Sequence, residues 1–78
     1  MAADTISVRV SGKGPVRKYI AGDEAVVPFG STASMLVLSL KIPRELPVIC
    51  MKEGRRMQPG SVLHDGDSIT IIAMMAGG

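Results

Sequence analysis

The stretch from Ser31 to Pro43 constrains the fold most strongly, because it encodes a helix that is too short to be stable alone. Ser31 or Thr32 is placed to act as the N-cap, and Pro43 stops the helix at about Lys41. A helix of roughly 2.5 turns needs tertiary packing to persist in water. The sequence therefore predicts that this helix lies on a sheet formed by the rest of the chain.

Apolar residues mark the face of the helix that meets this sheet. The residues on that face are Leu36, Val37 and Leu40, and the apolar path continues past the helix end to Ile42. Two other apolar residues lie off the face and form either a second core stripe or an exposed pair: Met35 and Leu38.

Strand patterns precede the helix. Thr5 to Val10 alternates apolar and polar residues, as a half-buried strand requires. The turn-forming residues from Ser11 to Pro15 predict a hairpin after that strand. Val16 to Val27 is interpreted either as two strand pieces broken at Ala21-Gly22 or as one long strand with a bulge.

Two more strands are predicted after the helix. Leu46 to Lys52 is an apolar strand with Pro47 near its start, a position typical of an edge strand or of a first residue. Glu53 to Gly60 is a loop with a short extended piece. Asp65-Gly66 favours a turn with positive φ, and Ser68 to Ala73 alternates as the last strand.

The order strand, strand, helix, strand, strand predicts an α+β layer pair, in which a mixed sheet packs on one helix. The 78 residues are expected to form a single domain, residues 1–78, near the small end of what folds alone. Hydrophobic residues make up 46% of the chain, and Tyr19 and Phe29 are the only aromatic ones. We therefore expect a core built from aliphatic side chains.

Charge and hydropathy argue against several classes of protein. Nine basic residues against seven acidic ones give a formal net charge of +2, and the basic residues are dispersed along the chain. This small excess of positive charge is not concentrated in one part of the chain, and aromatic residues that could stack on bases are few. We therefore predict no nucleic-acid partner. The first residues lack the order of a signal peptide, and no apolar run approaches the ~20 residues that span a bilayer. We expect a cytoplasmic protein with no membrane partner.

No group of residues in the sequence predicts catalysis by the protein itself. The single cysteine, Cys50, lies inside an apolar strand and is expected to be a buried structural thiol. His64 is the only histidine, and a turn histidine beside two acids has too few ligands for a metal site. Asp65 and Asp67 are expected to shape their turn. We expect a protein that is not an enzyme and that binds no metal and no stable cofactor.

Three stretches resemble, in order and spacing, the β-grasp sulfur-carrier proteins: the thiamine-pathway carrier ThiS and the small subunit of molybdopterin synthase, MoaD. More remotely they resemble ubiquitin. The stretches are Val26 to Pro43, Val62 to Gly78 and the strand between them. In those families a Val-Pro-x-Gly-Thr pattern opens the helix, Ile-Pro closes it, and Leu-x-Asp-Gly-Asp precedes the last strand and a terminal Gly-Gly. From Ser11 to Glu24 this chain is several residues longer than the compact carriers.

The resemblance implies a β-grasp (ubiquitin-like) fold with four to five strands on one helix, a globule over about residues 4–74, and a flexible tail over 75–78. It implies that an activating enzyme of the ubiquitin-activating type uses ATP to adenylate the carboxylate of Gly78. A sulfur donor would then form a thiocarboxylate, and a downstream synthase or thiolase would accept the sulfur. Gly77, which has no Cβ, would help the tail enter a narrow passage.

An apolar surface beside the tail is expected to dock the partner. Ile72 and Met74 alternate with the core-facing residues of the last strand, and Ile49 and Met51 share their outer face if Cys50 faces the helix. Methionine adapts to partners of different shape. The alternatives are that this face belongs to the core or that a dimer covers it. The expected partner-binding residues are Ile49, Met51, Ile72, Met74, Met75 and Ala76.

Two other functions fit the same residues. A ubiquitin-like modifier would use the activated Gly78 to form an isopeptide bond with target lysines. A non-covalent β-grasp interaction domain would depend on the apolar surface and not on Gly78. Among carriers, the thiamine, molybdopterin, tRNA thiolation and cysteine pathways all remain alternatives.

The adjacent Arg55 and Arg56 are interpreted as exposed residues of a solvated loop. The alternative is that their charges guide an acidic partner toward the protein.

Overall fold

The computed structural model describes residues 4–20 and 22–74, which form one mixed sheet covered on one face by a short helix. The strands are β1 (Thr5–Lys13), β2 (Glu24–Pro28), β3 (Val48–Lys52), β4 (Arg55–Arg56) and β5 (Ser68–Ala73). A 3-10 helix (Gly14–Tyr19) follows β1, and the α-helix α1 (Ala33–Ser39) follows β2. The predicted α+β class, with four to five strands on one helix, is confirmed. Neither helix of these residues has the length and apolar character needed to cross a membrane.

The first and last strands lie side by side in the middle of the sheet. The strand order is β2-β1-β5-β3-β4, with β1 and β5 parallel. The pairs β1–β2, β3–β5 and β3–β4 are antiparallel. A parallel pair cannot be joined by a tight turn, and here β2, α1, β3 and β4 all lie between its two strands in the chain. The sheet is therefore complete only when the last strand has been added.

Alternation along the two central strands sends aliphatic side chains to the face that α1 covers. The buried residues of these strands are Ile6, Val8, Val10, Ile69, Ile71 and Ala73. Leu36 from α1 and Leu63 from the segment before β5 join the same cluster. The aliphatic core is as predicted, and β5 has both the predicted bounds and the predicted inward face.

Thr32 is the N-cap of α1, because its Oγ1 accepts a hydrogen bond from the backbone N–H of Met35 at 3.3 Å. Ser31, the alternative cap, is buried, and its hydroxyl donates to the carbonyl of Pro28 at 2.6 Å. The helix ends slightly before the predicted limit at Lys41. That residue has a φ of 58°, the left-handed conformation that commonly follows a helix.

The predicted apolar face of α1 is confirmed. Leu36 is fully buried, Val37 and Leu40 pack against the core, and Ile42 is buried beyond the helix end. The two residues off that face are exposed, which decides against a second core stripe: Met35 and Leu38.

The prediction for the segment between β1 and β2 is wrong in two respects. β1 does not end in a hairpin turn at Ser11 to Pro15 but continues to Lys13, and Gly14–Tyr19 is a 3-10 helix instead of a strand piece. Only Glu24–Pro28 forms the second strand, which does pair antiparallel with β1.

Long-range packing explains both differences. The extension of β1 pairs with β5, where Gly12 lies opposite Ile71. Pro15 suits the first turn of a helix because it has no N–H to satisfy there. Val16 becomes fully buried, and a Cβ on Gly12 would lie 2.6 Å from Ile20 Cδ1. The 3-10 helix thus packs closely over the end of β1.

A tight hairpin joins β3 to the very short β4. Glu53 and Gly54 both have positive φ, 53° and 78°, as a two-residue type I′ turn requires. The short extended piece predicted in this loop is confirmed as Arg55–Arg56. β3 begins at Val48, directly after Pro47 and later than the predicted start at Leu46.

Candidate functional site

The predicted reactive end of the chain lies outside the described residues. Gly77 and Gly78, together with Met75 and Ala76, follow residue 74. The described part of the predicted site consists of four apolar residues on β3 and at the end of β5. We call these residues the outer patch: Ile49, Met51, Ile72 and Met74.

β3 and β5 bring the outer patch together on the sheet face opposite α1. The antiparallel register sets Ile49 directly opposite Ile72 and sets Met51 opposite Thr70. Cys50 is buried in the core, so alternation turns its two neighbours outward. Ile49, Met51 and Ile72 are half-buried, and Met74 is 45% exposed. The predicted shared face is confirmed, while its role in docking stays a prediction.

Met74 directly follows β5, and we call this end of β5 the exit. Its backbone N–H donates to the carbonyl of Pro47 at 2.9 Å, one position beyond the end of β5. Ala73 pairs with Val48 at the start of β3. The chain is therefore held against β3 until it reaches the segment predicted to be the tail.

Basic residues flank the outer patch on both sides. Lys13 of β1 is the register partner of Ile72, and Arg56 of β4 is the register partner of Met51. An apolar centre with basic margins is suited to a protein surface that offers apolar and acidic groups.

The carboxylates in the turn before β5 fasten that turn, as predicted. Asp65 Oδ1 accepts a hydrogen bond from the backbone N–H of Ser7 at 2.8 Å, which ties the turn to β1. Asp67 Oδ2 accepts one from the backbone N–H of His64 at 2.9 Å, and its Oδ1 lies 3.1 Å from Lys52 Nζ on β3. The two acids therefore position the start of β5 between its neighbouring strands.

The surroundings of Asp67 lower the pKa of its carboxyl group. Desolvation alone raises this pKa, but the His64 backbone hydrogen bond and the hydrogen bond and charge of Lys52 together outweigh it. The folded state therefore favours the ionised carboxylate.

Cys50 is buried in the core, as expected. Burial raises the pKa of the Cys50 thiol, which keeps it protonated and unreactive. The His64 side chain is 72% exposed, with Nδ1 at 3.9 Å from Asp67 Oδ2. Across residues 4–20 and 22–74, no three His, Cys, Asp or Glu side chains are grouped as a metal site would need.

A groove that the sequence pattern does not predict lies between α1 and the β3–β4 hairpin. The groove has a volume of about 520 Å³. Residues that line it include Val37, Leu38, Val48, Cys50, Arg56 and Met57. It exists because β4 pairs only with Met51 and Lys52, which leaves the first half of β3 without a strand on that side. The length of β4 could not be read from composition or periodicity.

Three solved structures share this architecture. The solution structure of the Haloferax volcanii HVO 2177 protein matches with a TM-score of 0.75 at 18% identity, over 100% of this chain and 92% of that chain. The crystal structure of SAMP1 from Haloferax volcanii matches with a TM-score of 0.65 at 11% identity, over 92% of this chain and 99% of that chain. The ubiquitin of Caldiarchaeum subterraneum matches with a TM-score of 0.60 at 14% identity, over 95% of this chain and 99% of that chain.

These likenesses establish the fold. No protein-family model matches the sequence, and no curated protein matches it either. The chain has the ubiquitin-like β-grasp fold, so the resemblance noted in the sequence is confirmed at that level. The narrower likeness to ThiS and MoaD stays a resemblance of sequence pattern.

Replacing Asp67 with asparagine is expected to destabilise the fold by about 1 kcal/mol at neutral pH, because the charge beside Lys52 is lost. The folded-state pKa of Asp67 lies below its unfolded value. Its contribution is therefore full above the unfolded pKa and disappears as the pH falls through the folded pKa. Urea unfolding of both proteins between about pH 7 and about pH 2 measures this difference.

The difference in unfolding free energy between wild type and Asp67→Asn should disappear at low pH. Glu53→Gln, which changes an exposed acid in the β3–β4 turn, is the matched control and should leave stability unchanged across the range. A difference between wild type and Asp67→Asn that does not vary with pH would show that the Asp67 charge does not stabilise the fold.

Proposed function

We propose that this protein is a sulfur carrier whose Gly78 carboxylate is adenylated by an ATP-dependent activating enzyme and then converted to a thiocarboxylate. One observation carries the proposal: β5 ends beside the outer patch, Met74 is held there by a hydrogen bond to Pro47, and Gly77-Gly78 follow in the sequence. The ubiquitin-like fold supports it by analogy only, since a fold does not determine a function.

The length of chain after Met74 limits how far away the partner's active site can lie. Four residues lead from Met74 to Gly78, and an extended chain of that length reaches at most about 14 Å. A nucleotide site that receives Gly78 must therefore come close to the exit. The partner's surface then contacts the residues around the exit, of which the outer patch is the apolar part.

The proposed reaction balances with ATP and sulfide as co-reactants. The Gly78 carboxylate attacks the α-phosphorus of ATP, and pyrophosphate leaves as the acyl-adenylate forms. The sulfur donor then attacks the activated carbonyl, and AMP leaves with the bonding electrons of the acyl–oxygen bond. The product is a thiocarboxylate, which gives its sulfur to a biosynthetic acceptor while water restores the carboxylate.

In this scheme the carrier supplies access and docking, and the partner enzyme supplies the catalytic groups and binds the ATP. Gly77 and Gly78 have no Cβ, so protein and nucleotide can approach their backbone closely. Ordering the last four residues costs on the order of 4–8 kcal/mol, at about 1–2 kcal/mol each. Contacts made by the outer patch and by Met75 and Ala76 would offset that cost. A cytoplasmic location, where ATP is abundant, accords with this chemistry.

The activating enzyme from the same organism, given ATP and sulfide, is expected to convert the purified chain to a thiocarboxylate. Exchange of one oxygen for one sulfur adds about 16 mass units. Intact-mass measurement followed by fragmentation should locate the gain at Gly78. A chain that lacks Gly77 and Gly78 but keeps the outer patch is the control, and it should gain nothing. A wild-type chain that gains no mass would contradict the proposal.

The same preparation separates the carrier from a modifier. If the activated chain instead becomes joined to lysine side chains of added cell proteins, and no sulfur is incorporated, the modifier function replaces the carrier function.

Ile72→Asp is expected to raise the KM of the activating enzyme for the carrier about tenfold, because it places a charge in the centre of the outer patch. Val26→Asp is the matched control, since Val26 is 67% exposed on β2, two strands away from β5. It should leave KM unchanged. Thermal unfolding checks that both variants fold. Equal KM values for wild type and a folded Ile72→Asp would exclude the outer patch from docking.

A further inference from the structure

The segment that replaces a tight β1–β2 hairpin brings positive charge to the exit of the last strand. The basic residues of this segment are Lys13, Arg17 and Lys18, and all three are exposed. We propose that these residues, here called the basic rim, bind an acidic surface on the protein that receives the chain after Met74. This inference rests on the proposed function and specifies the charge of its partner.

Close packing fixes the basic rim beside the exit. Lys13 is the register partner of Ile72 on β5. At Gly14, where the 3-10 helix begins, a Cβ would lie 3.7 Å from the Cβ of Ala73, the last residue of β5. Val16 anchors the helix in the core with no exposed surface. The backbone positions of these basic residues are therefore set by the packed 3-10 helix and not by a free loop.

The loop from α1 to β3 adds to the positive charge at this end of the sheet. β3 starts at Val48, which pairs with Ala73, so residues 40–47 arrive at the same end. This loop carries Lys41 and Arg44 against a single acid, Glu45. A loop of net positive charge therefore reaches this end of the sheet in addition to the basic rim.

The charge of the basic rim is not neutralised within the described residues. Among residues 4–20 and 22–74, carboxylates lie within 4.0 Å of Lys52 and His64, and in both cases the acid is Asp67. Lys18 Nζ lies 5.5 Å from the centre of the Tyr19 ring, an attraction that leaves its charge in place. Free cations around a docking site attract an oppositely charged partner and speed its association.

An acidic protein surface fits these observations better than a nucleic acid does. Tyr19 is the single aromatic residue in the segment, which gives successive bases no platform to stack on. The basic rim also adjoins the apolar outer patch through Lys13 and Ile72. Apolar contact next to charge is characteristic of protein interfaces.

The test is charge reversal at two pairs of basic residues. Arg17→Glu/Lys18→Glu changes the basic rim. Arg9→Glu/Arg55→Glu is the matched control, because both residues are exposed, Arg9 lies opposite Ser68 at the start of β5, and Arg55 lies opposite Lys52 at the far end of β3. Each double variant changes the formal net charge from +2 to −2. The rate of thiocarboxylate formation by the activating enzyme of the same organism is measured at low carrier concentration, after thermal unfolding has shown that both variants fold.

The basic-rim variant is expected to react about tenfold more slowly at about 0.01 M salt, and the loss should largely vanish near 1 M salt, where the screening length falls to about 3 Å. The control should change the rate less than twofold. Equal losses in both variants, or a loss that salt does not reduce, would overturn the basic rim as a recognition surface.

The two proposals fail in different ways. If the wild-type chain is not activated at all, both fall. If it is activated and the basic-rim variant matches its rate, the carrier function stands and the basic rim falls. If the basic-rim variant loses binding to polyuridylate RNA that the wild type shows, but keeps the wild-type activation rate, the cations serve nucleic-acid binding. That result would also overturn the basic rim as a surface for an acidic protein.

Discussion

The parallel pairing of β1 with β5 is the interaction on which the rest of the structure depends. It buries the aliphatic residues of both strands at the centre of the sheet, with Val10 opposite Ile69 and Gly12 opposite Ile71. Because these strands come from opposite parts of the sequence, the remaining elements must fit on either side of them. The same pairing sets Lys13 beside Ile72, so it also determines which residues surround the end of β5.

Elements whose local signals agree could be predicted from the sequence. The bounds of β5 follow from its alternation and from the preceding Asp-Gly turn, where Gly66 has a φ of 89°. The 3-10 helix could not be predicted, since Val16 to Ile20 has the composition of a strand. Its conformation depends on burial of Val16 against distant residues, and a single-sequence pattern contains no such information.

The candidate site likewise has some features that could be predicted from the sequence and others that could not. That Ile49 and Met51 share a face with Ile72 could be predicted, because strand alternation is a local rule. Their direct adjacency depends on β3 lying next to β5, which only the strand order reveals. The cations of the basic rim lie close together in the sequence, but their place beside Ile72 and Ala73 is set only when the 3-10 helix packs at the end of β5. The groove beside α1 likewise depends on the length of β4, a property of tertiary structure.

The chemical state of Gly78 in the native protein tests the central claim most directly. The protein is isolated from its own cells, digested, and its Gly78-containing peptide is examined by mass spectrometry. We predict that a fraction of this peptide ends in a thiocarboxylate at Gly78, which a thiol-selective alkylating reagent will label. A Gly78 found only as a free carboxylate, only in isopeptide linkage to lysine, or followed by further residues would contradict the account.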